Sequence, residues 1–358
     1  MNRWLFFWRK MRRQLWVRAT AYAAAGVAAA LLAATLAGCT SIGVQRVGID
    51  RTDYTRQLRQ SDKEQLLANI VALRHGDAPM FLEVSSVISQ YSRESTGELQ
   101  AAIAPAVDND AGAIGGSVVL RESPTVTYTP LTGERFSRSM LAPLTPAVVL
   151  ATMEAGGASD LLFPLAVRSI DGVGNGSSAP LFEQRADPDF AAVVAALRRL
   201  QRTQALAIRV RQKEETFQAL ARVRPALDPQ ELADITFLSE RLGIERGAGE
   251  LRVVFSTYPH DRGELAIATR SMFEILMELA QGVEMPGSPP LASALVRIRS
   301  GAQAPADAHV AVRSGDSWFW IDGHDESSKR MFLLTQVMMS IADTGGGSGS
   351  PLVTIPAG

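Results

Sequence analysis

An apolar run from Ala19 to Ala37 ends at Gly38-Cys39, and that cysteine is the single one among 358 residues. Arg3, Arg9, Lys10, Arg12, Arg13 and Arg18 come before the run or at its edge, with no acidic residue among them. A positive start, an apolar middle and small residues at the end are the parts of a secretory signal. Leu36-Ala37-Gly38-Cys39 adds a more specific chemistry. The thiol can carry a diacylglyceryl group, Ala37 and Gly38 let a peptidase approach the backbone, and Leu36 supplies the aliphatic residue three places before the thiol. This is a lipobox, so cleavage between Gly38 and Cys39 and lipidation of Cys39 are expected.

Two plainer readings compete. A run of this length approaches the roughly 20 apolar residues that span a bilayer, but alanine dominates it and its insertion would be weak. A lone cysteine commonly fills a core as a small hydrophobe, yet this one directly follows Leu-Ala-Gly at the end of the apolar run. Each buried methylene of an acyl chain contributes about 0.8 kcal/mol, so several chains on one cysteine hold a protein on a membrane durably. Thr40 follows the cysteine where an aspartate would signal retention at the inner membrane, and the outer membrane is the expected home.

Removal of residues 1–38 takes six basic side chains with it and leaves 30 basic against 37 acidic, a mildly acidic body. No dense basic cluster remains to neutralise phosphates, so nucleic acid is not an expected partner. With Cys39 acylated no thiol is left for a disulfide, and stability must come from packing. The expected organisation is a signal peptide over 1–38, a lipidated N-terminus and tether over 39–60, an α+β body over 61–344 with room for a sub-division near 180–186, and a flexible linker and tail over 345–358.

Within the body, Ser61-Asp62-Lys63-Glu64 reads as a capping box, opening a helix whose Leu66, Leu67, Ile70, Val71 and Leu73 keep helical spacing until Gly76 and Pro79. From Met80 to Phe136 the texture is that of strands, clearest at Thr125 to Thr129, with Pro124 marking an edge or a strand start and a turn at Pro130 to Gly133. Thr145-Pro146, Asp187-Pro188 and Asp228-Pro229 are helix starts. The 41-residue spacing of the two Asp-Pro pairs raises the idea of a repeat. Ser271 to Gln281 and Glu326 to Ala342 are further helices, and the methionines of the latter read as core filler. Strands are expected at Leu165–Ile170, Leu206–Arg211, Leu251–Ser256, His309–Arg313 and Ser317–Ile321, with a mobile loop at Gly172–Ser178. The fold class is therefore α+β, mixed sheet segments with packed helices.

Asn69 to Arg74 with Pro79 to Tyr91, Thr125 to Phe136, Trp318 to Asp322 and Leu352 to Gly358 together resemble a family of proteobacterial lipoproteins with no assigned activity. The resemblance implies an outer-membrane-type lipoprotein and no catalytic residue. In that pattern Asp-Arg follows the first aspartate after Trp-Phe-Trp, whereas this chain has Gly323-His324, which argues against a general catalytic role for His324.

Enzyme signatures are missing from the sequence: there is no His-Glu-x-x-His, no Gly-x-Ser-x-Gly and no Walker A loop. Asp108-Asn109-Asp110 lacks the rest of a calcium loop, and Gly172 to Gly176 lacks phosphate-loop spacing. No catalytic residue, metal ligand or cofactor is assigned. His75, His260, His309 and His324 stand apart, although Tyr258-Pro259-His260-Asp261 and His324-Asp325 each put a base next to a carboxylate. Trp318 and Trp320 are the two tryptophans after the signal and share one face of a strand. They mark either a core stack or a partner surface, with Asp322 and Asp325 able to rim it. The expected function is that of a lipid-anchored binding or structural component facing the periplasm, attached to the membrane by its anchor and available to an envelope protein partner. The alternative is a periplasmic hydrolase whose site forms only in the fold.

Overall fold

The computed structural model describes residues 42–100, 113–213, 216–224, 227–243, 251–259, 261, 263–285 and 290–343. Gly38, Cys39, Asp108 to Asp110, His260 and the linker and tail from 345 lie outside these residues. The chain divides into two units, Met1–Leu58 and Arg59–Gly358. No helix of the described residues is long and apolar enough to cross a membrane.

Helix α1 spans Ile42–His75. Ser61 and Glu64 lie inside it instead of opening it, and Glu64 accepts a hydrogen bond from Gln60 Nε2 at 2.7 Å. Ten of the twelve residues 56–67 are Arg, Gln, Lys, Glu or Leu, which are strong helix formers, so winding continues through the stretch read as a tether. In the first unit an exposed Arg56–Asp53 pair at 2.9 Å follows the same helical spacing. In the second unit the apolar face of α1 is buried as its spacing predicts, with Leu67, Ile70 and Val71 fully enclosed. Asn69 and Gln65 next to that face behave as strand surrogates. Asn69 exchanges two bonds with the Met80 backbone, at 2.8 and 2.7 Å, and Gln65 exchanges two with that of Leu82, at 3.2 and 2.6 Å.

That clamp delivers the chain into a long hairpin, β1 (Leu82–Gln100) against β2 (Ala113–Pro130), with a bulge between Val84 and Ser86. Pro124 lies within β2 opposite Ser89, and a two-stranded ribbon leaves each strand an open side where proline is tolerated. The turn after Pro130 becomes a short helix α2 (Gly133–Phe136) that runs on as a π-helical turn through Ser137–Leu141.

The main sheet has six strands: β3 (Val167–Ile170), β4 (Val173–Gly174), β5 (Leu206–Lys213), β6 (Thr216–Val223), β7 (Leu251–Val254) and β8 (Glu264–Thr269), in the order β4-β3-β8-β7-β6-β5. All pairings are antiparallel except β7 with β8. Strands from both sides of residues 180–186 share this one sheet. Across it lies α3 (Pro146–Glu154), opened by Thr145 and Pro146 as read, although the Thr145 hydroxyl makes no capping bond.

Helix α4 (Ser159–Ala166) occupies the start of the segment read as a strand from Leu165, and the strand begins only at Val167. The interior Pro164 hides this helix from sequence reading, and the helix ends two residues later, where Asn175 Nδ2 and Arg270 donate to the carbonyls of Pro164, Leu165 and Val167. Gly172–Ser178, read as a mobile loop, is the segment that carries Asn175, β4 and the Gly176 carbonyl, and it is densely hydrogen-bonded.

Helices α5 (Phe190–Arg202) and α6 (Pro229–Leu242) pack on each other. Asp228 caps α6 in a complete capping box with Glu231. Asp187 does not cap α5: Asp189 is the residue before its first turn, and the Asp187 carboxylate instead accepts the Asp189 amide at 2.9 Å. Phe190 N–H bonds the Asp187 carbonyl at 3.1 Å, so one tight turn is wound before the α-helical ladder begins.

Helix α7 (Met272–Ala280), capped by Ser271 and Glu274, buries Met272, Ile275, Leu276 and Leu279 and forms the centre of the core. Beyond it, β9 (Arg299–Gly301), β10 (Val310–Ser314) and β11 (Ser317–Ile321) make an antiparallel sheet in the order β10-β11-β9. Helix α8 (Glu326–Asp343) follows and packs against α7. Its Met331 and Met338 are core residues, as read. The chain is an α+β protein.

Candidate functional site

On β11 the side chains alternate as the sequence requires. Phe319 is buried and meets His75 edge-on at 5.7 Å, while Trp318 and Trp320 share the opposite, half-buried face. Their cross-strand partners include Arg313 opposite Trp318, and Ala311 and Arg299 opposite Trp320. The two indoles are thus neither core nor free, and Trp320 Nε1 is buried without a hydrogen-bond partner. Asp322 and Asp325 have local work. Asp322 accepts the His324 amide at 2.9 Å and faces Arg299 at 3.6 Å, and Asp325 holds both the amide and hydroxyl of Ser328 at the start of α8.

The described histidines are each tied to a different neighbour. His75 Nδ1 lies 2.9 Å from the Val71 carbonyl, His309 meets Phe332 edge-on, and exposed His324 faces Asp307 at 3.1 Å. Burial lowers the pKa of His309, assisted by Lys63 and Lys329. Asp325 is engaged at its helix start and not with the neighbouring imidazole. No arrangement of nucleophile, base and orienting acid comes together at these three histidines.

Among the described residues, Asp171 is a strongly perturbed carboxyl. With Gly172 it forms the tight turn between β3 and β4, both residues at positive φ (43° and 83°), which is the backbone of a type I′ hairpin. Its Oδ1 accepts the Ala266 amide at 2.7 Å, while buried Oδ2 has no partner. Burial pushes this carboxyl up to about 6, against the opposing pull of the Ala266 bond. A folded-state pKa above the unfolded value of about 3.9 means that the folded protein binds the proton more tightly. The resulting stability is complete below the unfolded pKa and is lost as pH rises through about 6. Urea midpoints measured from pH 4 to 7 should therefore fall less with rising pH in Asp171→Asn than in the parent; parallel profiles would show that the carboxyl is solvated.

A sizeable concavity lies elsewhere. Between one face of the main sheet and helices α3, α5 and α6 is a cavity of about 440 Å³, lined by aliphatic side chains. The sheet contributes Leu206 and Ile208 of β5, Ala221 of β6 and Val253 of β7, which alternate onto one face. Leu200 closes it from α5 and Leu238 from α6. Leu232 of α6, 57% exposed, stands at the mouth. Thr236 and Ser239 of α6 bring the hydroxyls of the lining.

Four charged groups on α5, α6 and the end of β6 form two ion pairs beside the cavity. Arg224 donates to both oxygens of Glu231 at 2.9 Å, and Arg199 binds Asp234 through Nε and Nη2 at 2.9 and 2.7 Å, tying α5 to α6. Hydrogen bonds from Thr203 and the Asp228 amide, with Arg224 assisting, hold the Glu231 carboxyl below its usual range.

The volume falls within the range of about 300–1,000 Å³ typical of small-molecule sites, which are also mostly apolar. A closed, dry void of 440 Å³ would cost on the order of 10 kcal/mol at about 24 cal/mol per Å³, which is comparable with the whole stability of a domain. An opening at Leu232 replaces that cost with wetted aliphatic surface, and an apolar occupant removes such surface from water with a gain of about 25 cal/mol per Å². Sequence reading missed this site because its walls come from nine elements spread from Leu150 to Ile267. The available signal was an alternation of Leu and Ile in β5 together with leucine repeats in α6.

Compared with protein-family models, with curated proteins and with solved structures, the chain matches none.

Proposed function

We propose that this chain is a lipid-anchored component of the bacterial envelope, held at Cys39 on the outer membrane with its body facing the periplasm, and that the body acts by binding. The single observation supporting a binding role is the aliphatic cavity under the six-stranded sheet, where a hydrolase would need convergent polar groups. The lipobox Leu36-Ala37-Gly38-Cys39 supports the anchor, and Thr40 supports the outer membrane over the inner.

Cys39→Ser tests the anchor directly. The variant should accumulate as the longer, unacylated precursor, whereas the parent should begin at Cys39 with the mass of its acyl groups attached. A parent protein found intact from Met1 with a free thiol would defeat this reading, and fractionation of the two membranes checks the address.

A further inference from the structure

Resting on the reading of the body as a binding component, we infer that the cavity between the main sheet and helices α3, α5 and α6 holds a single aliphatic acyl chain, with its polar head left at the mouth beside Leu232. Leu200, Leu206, Ile208, Leu238 and Val253 offer a ligand dispersion contacts and nothing to hydrogen-bond, so any polar atom taken inside would lose its water without replacement.

The nearby carboxylates and guanidinium groups do not change this. Glu231, Asp234, Arg199 and Arg224 are committed to two ion pairs, and neither pair can be opened to meet an incoming charge without stranding its partner. The ligand body must therefore be apolar throughout. Hydroxyls enter the lining through Thr236 and Ser239, and the basic end of β6, Arg222 and Arg224, belongs to the same wall. A head group remains on that side, where water can still solvate it.

Size selects one chain over two. The space is that of a small ligand, and a glycerophospholipid with both tails would have to leave one in water.

The test uses the full chain purified from membranes into a detergent-free amphipathic polymer and titrated with the fluorescent fatty acid cis-parinaric acid. Saturable binding of one probe per chain, displaced by palmitate and by a single-chain lysophospholipid but not by two-chain phospholipid vesicles, is expected. Ala221→Phe fills the floor of the cavity and should weaken probe binding about tenfold or more. If that variant does not fold, Thr236→Phe, on half-buried α6 lining, makes the same measurement. Absence of saturable binding, equal displacement by vesicles, or unchanged affinity in a folded cavity-filling variant would each overturn the inference.

Solvent extraction followed by mass spectrometry then tells a free fatty acid from a lysophospholipid as the natural source of the chain. Acyl groups on Cys39 stay with the protein in that extraction. A body that binds no probe while Cys39 is acylated leaves the anchor reading intact, and a body that binds probe without acylation does the reverse.

Discussion

Arg270→Met should lower stability by about 3 to 5 kcal/mol, the range for removing one member of a buried charge cluster. Arg270 is 3% exposed and its side chain donates to three backbone carbonyls, those of Pro164 (2.7 Å), Leu165 (3.2 Å) and Gly176 (2.5 Å). Two of these are carbonyls at the end of α4, which a helix terminus leaves without intrahelical partners. The third fixes the loop after β4. Burial lowers the arginine's pKa, opposed by Glu278 and Glu274, but a guanidinium stays protonated at any ordinary pH.

Its removal takes a counter-charge from Glu278, leaves Glu274 to Arg168, and takes a donor from three carbonyls, of which Pro164 keeps Asn175; methionine repairs none of this. Arg270→Lys should recover only part of the loss, because one ammonium cannot reproduce the fork geometry that reaches Pro164 and Gly176 together. Denaturant midpoints with unchanged slopes measure both variants. A cost below about 1 kcal/mol for the methionine variant would mean that water takes over the arginine's bonds.

Gly282→Ala and Gly323→Ala should each cost about 3 kcal/mol or more, at the upper end of overpacking penalties. A methyl group at Gly282 would stand 1.9 Å from the Val296 carbonyl oxygen, and one at Gly323 would stand 2.0 Å from that of Asp307. The obstruction in both cases is backbone, which cannot rotate away. Gly282 lies where the end of α7 meets the strand-like bridge Val283–Ile298, and Ile298 N–H bonds the Gly282 carbonyl at 2.9 Å. Separating the two backbones would loosen the attachment of the three-stranded sheet to the core.

Gly301→Ala provides the comparison: its nearest obstruction is the rim of the Trp320 ring at 3.1 Å, a side chain that can tilt, so a smaller loss is expected. Thermal melts of the three variants should rank in that order, and equal melting of Gly301→Ala and Gly282→Ala would refute the backbone explanation. The same geometry leaves no room for a side chain at Gly323 while Asp307 stays where it is.

Local chemistry made several elements legible. Asp228-Pro229 with Glu231 and Ser271 with Glu274 spelled out two capping boxes, and the strict alternation of Trp318, Phe319 and Trp320 predicted which side each would take. Strand β8 was not read because Glu264-Leu-Ala-Ile-Ala-Thr269 is a short apolar stretch with no periodic bias. Only β3 and β7 on either side make it a strand. Helix α4 is not legible because Pro164 normally ends a helix, and the groups that satisfy its last carbonyls, Asn175 and Arg270, lie 11 and 106 residues away in sequence. The cavity is more distributed still, a joint product of helix placement and sheet alternation, and no single segment announces it.

The pairing of Ile170 with Ile267, β3 against β8 in the main sheet, has a consequence in time. Closing a loop of about a hundred residues costs roughly 4 kcal/mol of chain entropy before any contact in it is made, and folds dominated by such distant pairings form slowly. For a chain delivered from its N-terminus, Val167–Ile170 has no partner on its β8 side until Thr269 has emerged. Throughout that interval it is an unpaired strand edge able to template pairing with another chain. The rate at which residues 171–269 arrive, set against the local concentration of other copies, thus decides whether the sheet closes on itself or on a neighbour.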